Sequence, residues 1–470
     1  MVKASKKPKT IRELKKENYE ILPLREEMRK NLIDKVKKGE ALFPGIIGYE
    51  ETVIPQIQNA ILSGQDMILL GERGQAKTKL IRNFINLLDE EVPAISGCAI
   101  NDNPYSPICK ECKEKVQECG DDVEIVWITR EERYGEKLAT PDVTTPDLIG
   151  EIDPIKLAEG RYLSDELVIH YGLIPRTNRG IFCINELPDL AEKIQVGLFN
   201  IMEERDIQIR GFKVRLPLDI YIVSTANPED YTNRGRIITP LRDRYGCEIR
   251  THYPREVEEE IVIVDQERRR FKDESIRITV PDFMKEIVAE TTRIARTHPD
   301  INQRSGVSVR MSIANFENLI SNSVRRCINL NEKDAVPRIT DLPHMLPSMV
   351  GKIELEGLEE TDCNKVARDL IKKAVKKVFD RYYMTDEFDD FLMNITSDVK
   401  VSVSDEMPLK EYSKIANLMG TSKEKMKRVP TIKGPAMQAS HIEFILEGLH
   451  LHKKLNKDEV DGKAVYRSSR

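Results

Sequence analysis

Two stretches of this sequence place chemically reactive side chains at the ends of short apolar runs. In the first, an apolar run at residues 67–70 leads into residues 71–78, which read GERGQAKT. The residues that follow, 79–88, have apolar side chains at helical spacing. A strand, a glycine-containing loop that ends in Lys-Thr, and a helix are the context in which a loop binds phosphate. The motif on its own also fits a chance glycine-rich turn.

The residue types of this loop suit a polyphosphate bound with Mg²⁺. Backbone N–H groups at a helix N-terminus attract anions, and Gly71 and Gly74 allow the backbone to turn tightly. Lys77 has the length to reach the β- and γ-phosphates, and the Thr78 hydroxyl is placed to bind Mg²⁺. Ala76 stands where the full pattern has glycine. Because alanine resists positive φ, we expect either a distorted loop or a negative φ at Ala76.

The second stretch, residues 180–186, reads GIFCINE and predicts a buried parallel strand that ends in two polar side chains. Ligands bind at the carboxyl ends of strands in open α/β sheets. We expect Glu186 to orient and polarise an attacking water and Asn185 to hold Mg²⁺ more weakly than an aspartate. A further buried strand ends at Asn227, which we expect beside Glu186. The plainer alternative is that Asn-Glu is a common dipeptide, followed by a capped helix.

Composition excludes several functional classes. The 470 residues include 74 Lys and Arg against 79 Asp and Glu, which gives a net charge of −5, so nucleic acid is not an expected partner. No apolar run approaches the ~20 residues of a membrane helix. The polar N-terminus MVKASKKPKT has no signal-peptide character. We therefore expect a cytoplasmic protein without a membrane span.

Four of the eight cysteines are clustered, at Cys98, Cys109, Cys112 and Cys119. Cys109 and Cys112 have the C-x-x-C spacing of zinc sites. A four-thiolate site requires all four sulfur atoms to converge on a tetrahedron, and Cys98 and Cys119 do not form a second C-x-x-C pair. Two alternatives stay open at this point: a zinc site of these four residues, or reduced free thiols.

Taken together, the motifs resemble those of AAA+ ATPases of the magnesium-chelatase small-subunit type and the related MoxR type. The matching segments follow the family's order between residues 42 and 310. They are residues 71–78, 139–142 (ATPD) with 148–153 (LIGEID), 178–186 (NRGIFCINE), 225–229 (TANPE) and 241–246 (LRDRYG).

The resemblance implies a catalytic group. Glu186 corresponds to the catalytic Walker B glutamate and Asn227 to sensor 1. Arg244 corresponds to the arginine finger, which acts on the ATP of a neighbouring subunit. Arg310 corresponds to the sensor 2 arginine of the lid. Residues 206–217 resemble the family's insertion hairpin.

ATP and Mg²⁺ are the cofactors that the resemblance implies. Thr78 and Asn185 are the expected Mg²⁺ ligands. The Ile47-Gly48 turn is expected to wall the adenine, with a simple entry into the next helix as the alternative that its spacing leaves open. The full nucleotide-binding set is Gly71, Glu72, Arg73, Gly74, Gln75, Ala76, Lys77, Thr78 and Lys79 with Ile47 and Gly48.

The expected fold class is α/β: a P-loop domain with a parallel sheet flanked by helices, then a helical lid and a mostly helical C-terminal extension. We divide the chain into a basic helical arm at 1–40, the nucleotide-binding domain at 41–254 with an insertion at 93–135, the lid at 255–337 and the extension at 338–470.

Three functions follow as hypotheses. The first is a ring ATPase, hexameric as the family usually is, that remodels or activates a partner protein, in this family often one with a von Willebrand A domain. The second is the ATPase motor of a magnesium chelatase. The third is a nucleotide-dependent switch that hydrolyses ATP weakly, because Asn185 replaces the usual aspartate.

Overall fold

The computed structural model describes residues 7–158, 166–203, 216–228, 235–271, 276–356, 362–395, 399–420, 434–460 and 463–468. The chain divides into two compact units, Met1–His252 and Tyr253–Arg470. This boundary lies two residues before the predicted one. Most of the expected hairpin at 206–217 lies outside the described residues.

A parallel sheet forms the centre of the first unit, as predicted. Over the described residues its five strands are, in spatial order, β4 (Tyr134–Leu138), β7 (Gly180–Asn185), β8 (Ile220–Ala226), β1 (Met67–Leu70) and β9 (Cys247–Arg250). Leu70, the last residue of β1, pairs with Ala226 and Arg250, the last residues of its two neighbours. The carboxyl ends of these strands therefore lie along one edge, and the chain leaves β1 between the ends of β8 and β9.

Alternate residues of the central strands pack into two separate hydrophobic cores. Ile68 and Phe182 belong to one core, and Leu69 and Ile181 belong to the other. Because successive side chains of a strand point to opposite faces, the sheet is covered on both sides. This explains why the strands read as continuous apolar runs.

Helices and two antiparallel strand pairs surround the sheet. The helices are α1 (Ile11–Lys16), α2 (Leu24–Lys38), α3 (Val53–Leu62), α4 (Lys77–Arg82), α5 (Lys110–Cys119), α6 (Thr145–Leu148), α7 (Pro154–Ala158), α8 (Leu173–Arg176), α9 (Glu192–Glu203) and α10 (Thr239–Arg244). The strand pairs are β2 (Glu91–Ile95) with β3 (Ile125–Thr129) and β5 (Gly150–Ile152) with β6 (Ile169–Tyr171).

The basic N-terminal segment is an integral part of the first unit. Leu24, Met28 and Leu32 of α2 are buried in one of the two cores, whereas Val36 of the same helix is 52% exposed. Glu27 forms a buried ion pair with Arg133, in which the Arg133 Nη2–Glu27 Oε2 distance is 2.6 Å. A buried pair of this kind is costly to break, so the segment is fixed to the domain.

The second unit is mostly helical. Its helices are α11 (Val257–Glu267), α12 (Asp282–Ala295), α13 (Val309–Leu330), α14 (Leu346–Val350), α15 (Cys363–Tyr382), α16 (Asp389–Asn394), α17 (Leu409–Leu418) and α18 (Pro435–Leu451). Its strands are β10 (Arg277–Ile278), β11 (Asp334–Ala335), β12 (Val401–Val403), β13 (Leu455–Val460) and β14 (Lys463–Ser468).

The structure does not separate the predicted lid from the predicted extension. A single hydrophobic core runs from Val264 to Tyr466 across the expected boundary at 337/338. Phe283 of α12 stacks on Phe444 of α18, with ring centroids 4.4 Å apart. Residues from both predicted parts thus bury one another's apolar surface. No helix in the described part of the chain combines the length and the apolar character that crossing a membrane requires.

Candidate functional site: the carboxyl edge of the parallel sheet

The loop between β1 and α4 is built on glycine at its first position. A Cβ at Gly71 would collide with the Thr251 hydroxyl and with the side-chain amide of Gln75. The Thr251 hydroxyl donates to Gln75 Oε1 over 2.6 Å, and the Gln75 amide donates to the Glu72 carboxylate. Gln75 is buried, so its side chain braces the loop from within. This bracing requires the close approach that only glycine permits.

Ala76 adopts the left-handed conformation that its residue type disfavours. Its φ is +55° and its ψ is +16°, directly before α4. The expectation of a negative φ at Ala76 is therefore wrong: the loop keeps the glycine-like geometry of the motif. For an alanine this conformation costs roughly 1–2 kcal/mol. Strain of this kind persists when the surrounding structure fixes the loop.

The Lys77 ammonium lies over the loop. Its Nζ donates to the Gly71 carbonyl oxygen and, over 2.9 Å, to the Glu72 carbonyl oxygen. Thr78 and Lys79 follow in the first turn of α4, half-buried. Arg73 is exposed, and Gly74 has a φ of +77°. The structure thus brings the predicted loop residues together around a helix N-terminus, where backbone donors and a positive dipole attract anions.

The Ile47-Gly48 turn is tied to this loop through the next residue. The buried Tyr49 hydroxyl lies 2.8 Å from the Gln75 carbonyl oxygen and 2.9 Å from the His252 carbonyl oxygen. Burial raises the pKa of Tyr49, so the hydroxyl stays protonated. Ile47 and Gly48 are half-buried. They are therefore fixed beside the loop, in keeping with a role against the base of a nucleotide.

Asn185, at the end of β7, contacts a carboxylate that the sequence did not reveal. Its Nδ2 donates to Glu136 Oε1 over 2.6 Å, and its Oδ1 accepts from the Thr225 hydroxyl over 3.3 Å. Arg82 holds Glu136 through two hydrogen bonds of 2.9 Å each. The bonded Arg82 guanidinium lowers the pKa of Glu136, so this carboxylate stays ionised.

Glu136 escaped the sequence analysis because no local pattern marks it. It lies on the edge strand β4, directly after the predicted insertion at 93–135, and it reaches Asn185 through the parallel pairing of β4 with β7. Only a strand predicted at residues 134–138 could have indicated this contact, because its pairing with β7 brings Glu136 to Asn185.

Glu186 and Asn227 lie at the ends of neighbouring strands, as expected. Glu186 is exposed and has a φ of +57°. Its backbone N–H donates to the Thr225 hydroxyl over 3.0 Å. Asn227 follows β8 directly and is buried. A left-handed glutamate is a strained conformation that recurs at functional sites, and here it sets the carboxylate at the open edge of the sheet.

A cavity of about 330 Å³ opens at this edge. Its size falls within the range of small-molecule sites. Its lining includes Gly71, Glu72, Pro228, Arg242, Arg250 and Thr251. Arg242 and Arg250 contribute positive charge beside the phosphate loop, and both approach Glu248, at 2.5 Å and 3.8 Å. The backbone of the loop, Lys77 and these two arginines together provide hydrogen-bond donors that fit the phosphates of a nucleotide.

Arg244 lies outside the lining of this cavity. Its Nη1 donates to the Pro240 carbonyl oxygen over 2.7 Å, and its Nη2 pairs with Glu203. Its guanidinium carbon lies 4.7 Å from the centroid of the Phe199 ring. Arg310 belongs to the second unit. It is exposed in the first turn of α13, where its backbone N–H donates to Ser308 Oγ over 3.1 Å.

Comparison with known proteins gives a consistent set of relatives, although no protein-family model matches the chain. The chain is 27% identical over 250 residues to the magnesium-chelatase subunit ChlI-2 of Arabidopsis thaliana, a match that covers 51% of this chain and 55% of that protein. It is 26% identical over 226 residues to the magnesium-chelatase 38 kDa subunit of Cereibacter sphaeroides, covering 47% and 62%.

The chain is similar to the AAA+ ATPases of the magnesium-chelatase type. The resemblance drawn from the motifs is thereby confirmed, and the matched region spans only about half to two thirds of the relatives' own length. Among solved structures, a chain of the complex between BchI and BchD of magnesium chelatase covers 72% of this chain and 94% of its own length. It has 18% identity and a TM-score of 0.34, a similarity too low to add to the argument.

The cysteine cluster differs from its prediction in one member. Ligand atoms of Cys98, Asp102, Cys109 and Cys112 all lie within 4.8 Å of one another, and Cys119 is not part of this group. Cys109 caps the N-terminus of α5, whereas Cys119 is exposed at the C-terminus of that helix. At about 1.5 Å per residue the helix separates the two by about 15 Å. Cys119 therefore cannot serve as the fourth ligand.

Proposed function

We propose that the chain binds and hydrolyses Mg-ATP at the carboxyl edge of its parallel sheet. The observation that carries the proposal is a cavity lined by the start of the phosphate loop, by Pro228 after β8 and by two arginines, at the edge of the sheet where β7 also ends. The loop supplies backbone donors and Lys77, the strand ends supply Glu186 and Asn227, and the sequence relatives are named as magnesium-chelatase subunits. Each part has a task in phosphoryl transfer.

The residues of the edge divide into binding and catalytic roles. Lys77 and the loop backbone hold the phosphates, and Thr78 and Asn185 hold Mg²⁺, which when bound neutralises negative charge on the phosphates. Glu136 places an ionised carboxylate 2.6 Å from the Asn185 amide nitrogen. We assign to Asn185 and Glu136 together the task of holding Mg²⁺, which a single aspartate has in the full motif. Glu186 orients the attacking water, and Asn227 contacts the water or the terminal phosphate.

A ring of subunits would complete the site. Arg244 is held by Glu203 and Phe199 away from the lining of its own cavity, as suits an arginine that acts on the ATP of a neighbour. A charge supplied across a subunit boundary stabilises the transition state only after assembly. We infer a ring, a hexamer as the resemblance implies, that remodels or activates a client protein. The client class implied is one with a von Willebrand A domain, and a cytoplasmic location stays a prediction.

The ring is tested by the rate of ATP hydrolysis per subunit as a function of protein concentration. The rate is expected to rise with concentration and to level off as rings saturate. A mixture of Arg244→Ala with Glu186→Gln, each slow by itself, should regain hydrolysis, since Glu186→Gln subunits supply Arg244 to the intact sites of their Arg244→Ala neighbours. A rate per subunit that is constant at every concentration would contradict the ring.

A magnesium-chelatase motor is the second candidate function. Its support is the names of the relatives, which are magnesium-chelatase subunits at 26–27% identity. The measurement is Mg²⁺ insertion into protoporphyrin by the other subunits of a chelatase when this chain replaces the ATPase subunit. Stimulation would establish this function, and the absence of stimulation while ATP is still hydrolysed would exclude it.

A weakly hydrolysing switch is the third candidate. It is favoured by the neutral Asn185, whose amide nitrogen is already bonded to Glu136. If Asn185 acts as a brake, Asn185→Asp should hydrolyse ATP faster than the parent. Equal rates in the two proteins would remove the reason for this candidate.

A further inference from the structure

We propose that Cys98, Asp102, Cys109 and Cys112 bind one zinc ion that fixes the loop between β2 and α5. Their three sulfur atoms and one carboxylate oxygen lie within 4.8 Å of one another. Three of the four residues are buried: Asp102 and Cys112 are 0% exposed and Cys109 is 5% exposed. Zinc sites of this type use four ligands in a tetrahedron, with cysteine sulfur and carboxylate oxygen among the accepted donors.

Asp102 supplies the observation that points to a cation. Its Oδ2 accepts from the backbone N–H groups of Ile108 and Cys109, over 3.2 and 3.0 Å. Its Oδ1 is buried and has no hydrogen-bond partner among the described residues. A buried carboxylate oxygen without a partner is costly, and it lies in a group whose other members are sulfur ligands. A bound cation gives this oxygen its missing partner.

The backbone around the sulfur atoms is arranged as it is around thiolates. The N–H groups of Ile100 and Asp102 both donate to Cys98 Sγ over 3.4 Å, and the N–H of Cys112 donates to Cys109 Sγ over 3.4 Å. Donors of this kind stabilise the charged form of a ligand and fix its direction. The C-x-x-C turn at the start of α5 therefore presents its sulfur atoms to a common point.

Three sulfur ligands and one carboxylate oxygen favour zinc as the bound ion. Thiolates favour zinc over magnesium or calcium, which prefer oxygen ligands and retain water. A tetrahedral zinc ion with Zn–S bonds of about 2.3 Å sets sulfur atoms about 3.8 Å apart. Because the ligand atoms already lie within 4.8 Å of one another, closing on the ion requires movements of about 1 Å or less.

The loop held in this way supports the start of β7. Asn178 Nδ2 donates to the Ile100 carbonyl oxygen over 3.0 Å, and Asn101 Nδ2 donates to the Arg176 carbonyl oxygen over 3.1 Å. Arg179 Nη1 donates to the carbonyl oxygen of Asn101 in the loop over 3.4 Å and to that of Pro93 in β2 over 2.7 Å. These contacts fix residues 176–179, directly before the strand that ends in Asn185. The zinc ion thus stabilises the insertion and the approach to the proposed ATPase site.

The first test is the metal content of the full-length chain, purified without chelators and measured by elemental analysis. We expect one zinc ion per chain in the parent, loss of zinc in Cys112→Ser and retention in Cys119→Ser, the matched control on the same helix. A parent without zinc that also fails to bind added zinc would overturn the proposal. Zinc retained by Cys112→Ser, or iron in place of zinc, would overturn the assignment as well.

The second test starts from the parent chain, so that its main result does not depend on the folding of a variant. After removal of zinc by a chelator, added Co²⁺ should produce thiolate-to-cobalt absorption with the intensity of three thiolates. Asp102→Asn should keep this absorption and release the ion at a lower chelator concentration. Removal of zinc should also accelerate proteolysis within residues 98–112. No cobalt absorption, or unchanged proteolysis, would contradict the zinc site.

Discussion

The carboxyl edge of the sheet and the cysteine cluster differ in whether their polar groups have hydrogen-bond partners within the protein. At the edge, protein groups already satisfy the functional side chains: Lys77 bonds two loop carbonyl oxygens, and Asn185 bonds Glu136, which Arg82 holds. In the cluster, Asp102 Oδ1 has no partner within the described part of the chain. The edge is therefore stable without a ligand, and a nucleotide has to displace internal contacts. The cluster depends on an ion for its stability.

This difference sets the order of effects that substitutions should have. Changes at the edge should alter binding or turnover and leave the fold intact, because the contacts there are exchanged on ligand binding. Changes in the cluster should alter metal content and local stability. The following variants test the edge side of the comparison.

The largest expected effect on nucleotide binding, and so on every later step, is that of Lys77→Ala. The ammonium is the side-chain cation at the centre of the phosphate loop, and hydrogen bonds to charged groups contribute about 1.5–3 kcal/mol each. We expect ATP affinity to fall by ~100-fold or more, to below detection in an equilibrium binding assay. Lys30→Ala, an exposed lysine of α2, is the control and should bind ATP as the parent does. Unimpaired binding by Lys77→Ala would show that the loop is not a phosphate site.

The next effect compares two arginines of α10. Arg244→Ala should bind ATP as the parent does and hydrolyse it ~10³-fold or more slowly, because a missing arginine finger removes transition-state stabilisation. Arg242→Ala, whose side chain lines the subunit's own cavity, should instead weaken ATP binding. Turnover and ATP affinity measured for both variants separate the two roles. Normal turnover in Arg244→Ala would mean that another residue is the finger.

A smaller effect is expected for Glu136→Gln. The amide keeps the shape of the side chain but removes the charge beside Asn185 and the ion pair with Arg82. We expect hydrolysis to fall about tenfold, which is about 1.4 kcal/mol, with a stronger dependence on Mg²⁺ concentration. Glu131→Gln, an exposed glutamate nearby, is the matched control. If both variants have parental rates, Glu136 has no part in the site.

The smallest effect concerns the strained alanine. Ala76→Gly should relieve the cost of a positive φ and raise the stability of the first unit by about 1 kcal/mol, or about 2–4 °C in Tm. Ala314→Gly, in the interior of α13, should lower the stability of the second unit by about 0.5–1 kcal/mol. Thermal unfolding of both variants checks the signs. A lower Tm for Ala76→Gly would mean that the loop does not hold this conformation in solution.

The same contrast explains what the sequence could predict. The strand, loop and helix around Lys77 follow one another directly in the chain, so their sequence alone predicts how they are arranged. The predicted parallel sheet is also confirmed. Glu136 was missed because it meets Asn185 only through strand pairing. Cys119 was wrongly grouped with Cys109 because proximity in sequence does not account for the length of a helix, and Asp102 was overlooked because a carboxylate does not belong to the cysteine pattern.

Two further differences have physical causes. Ala76 takes a positive φ because Gln75 and Thr251 fix the loop more strongly than one residue's preference opposes it. The boundary expected at 337/338 is absent because α12 and α18, on either side of it, share a core. Both outcomes depend on tertiary contacts, which local propensity does not encode.

The most direct test of the central claim is a comparison of ATP binding and hydrolysis in the parent and in Glu186→Gln. The substitution removes the carboxylate that orients the attacking water and keeps the size of the side chain. The account predicts that Glu186→Gln binds ATP as tightly as the parent and retains it uncleaved, while Glu192→Gln, an exposed glutamate of α9, hydrolyses at the parental rate. Hydrolysis by Glu186→Gln at the parental rate would contradict an active site at the carboxyl edge of the sheet.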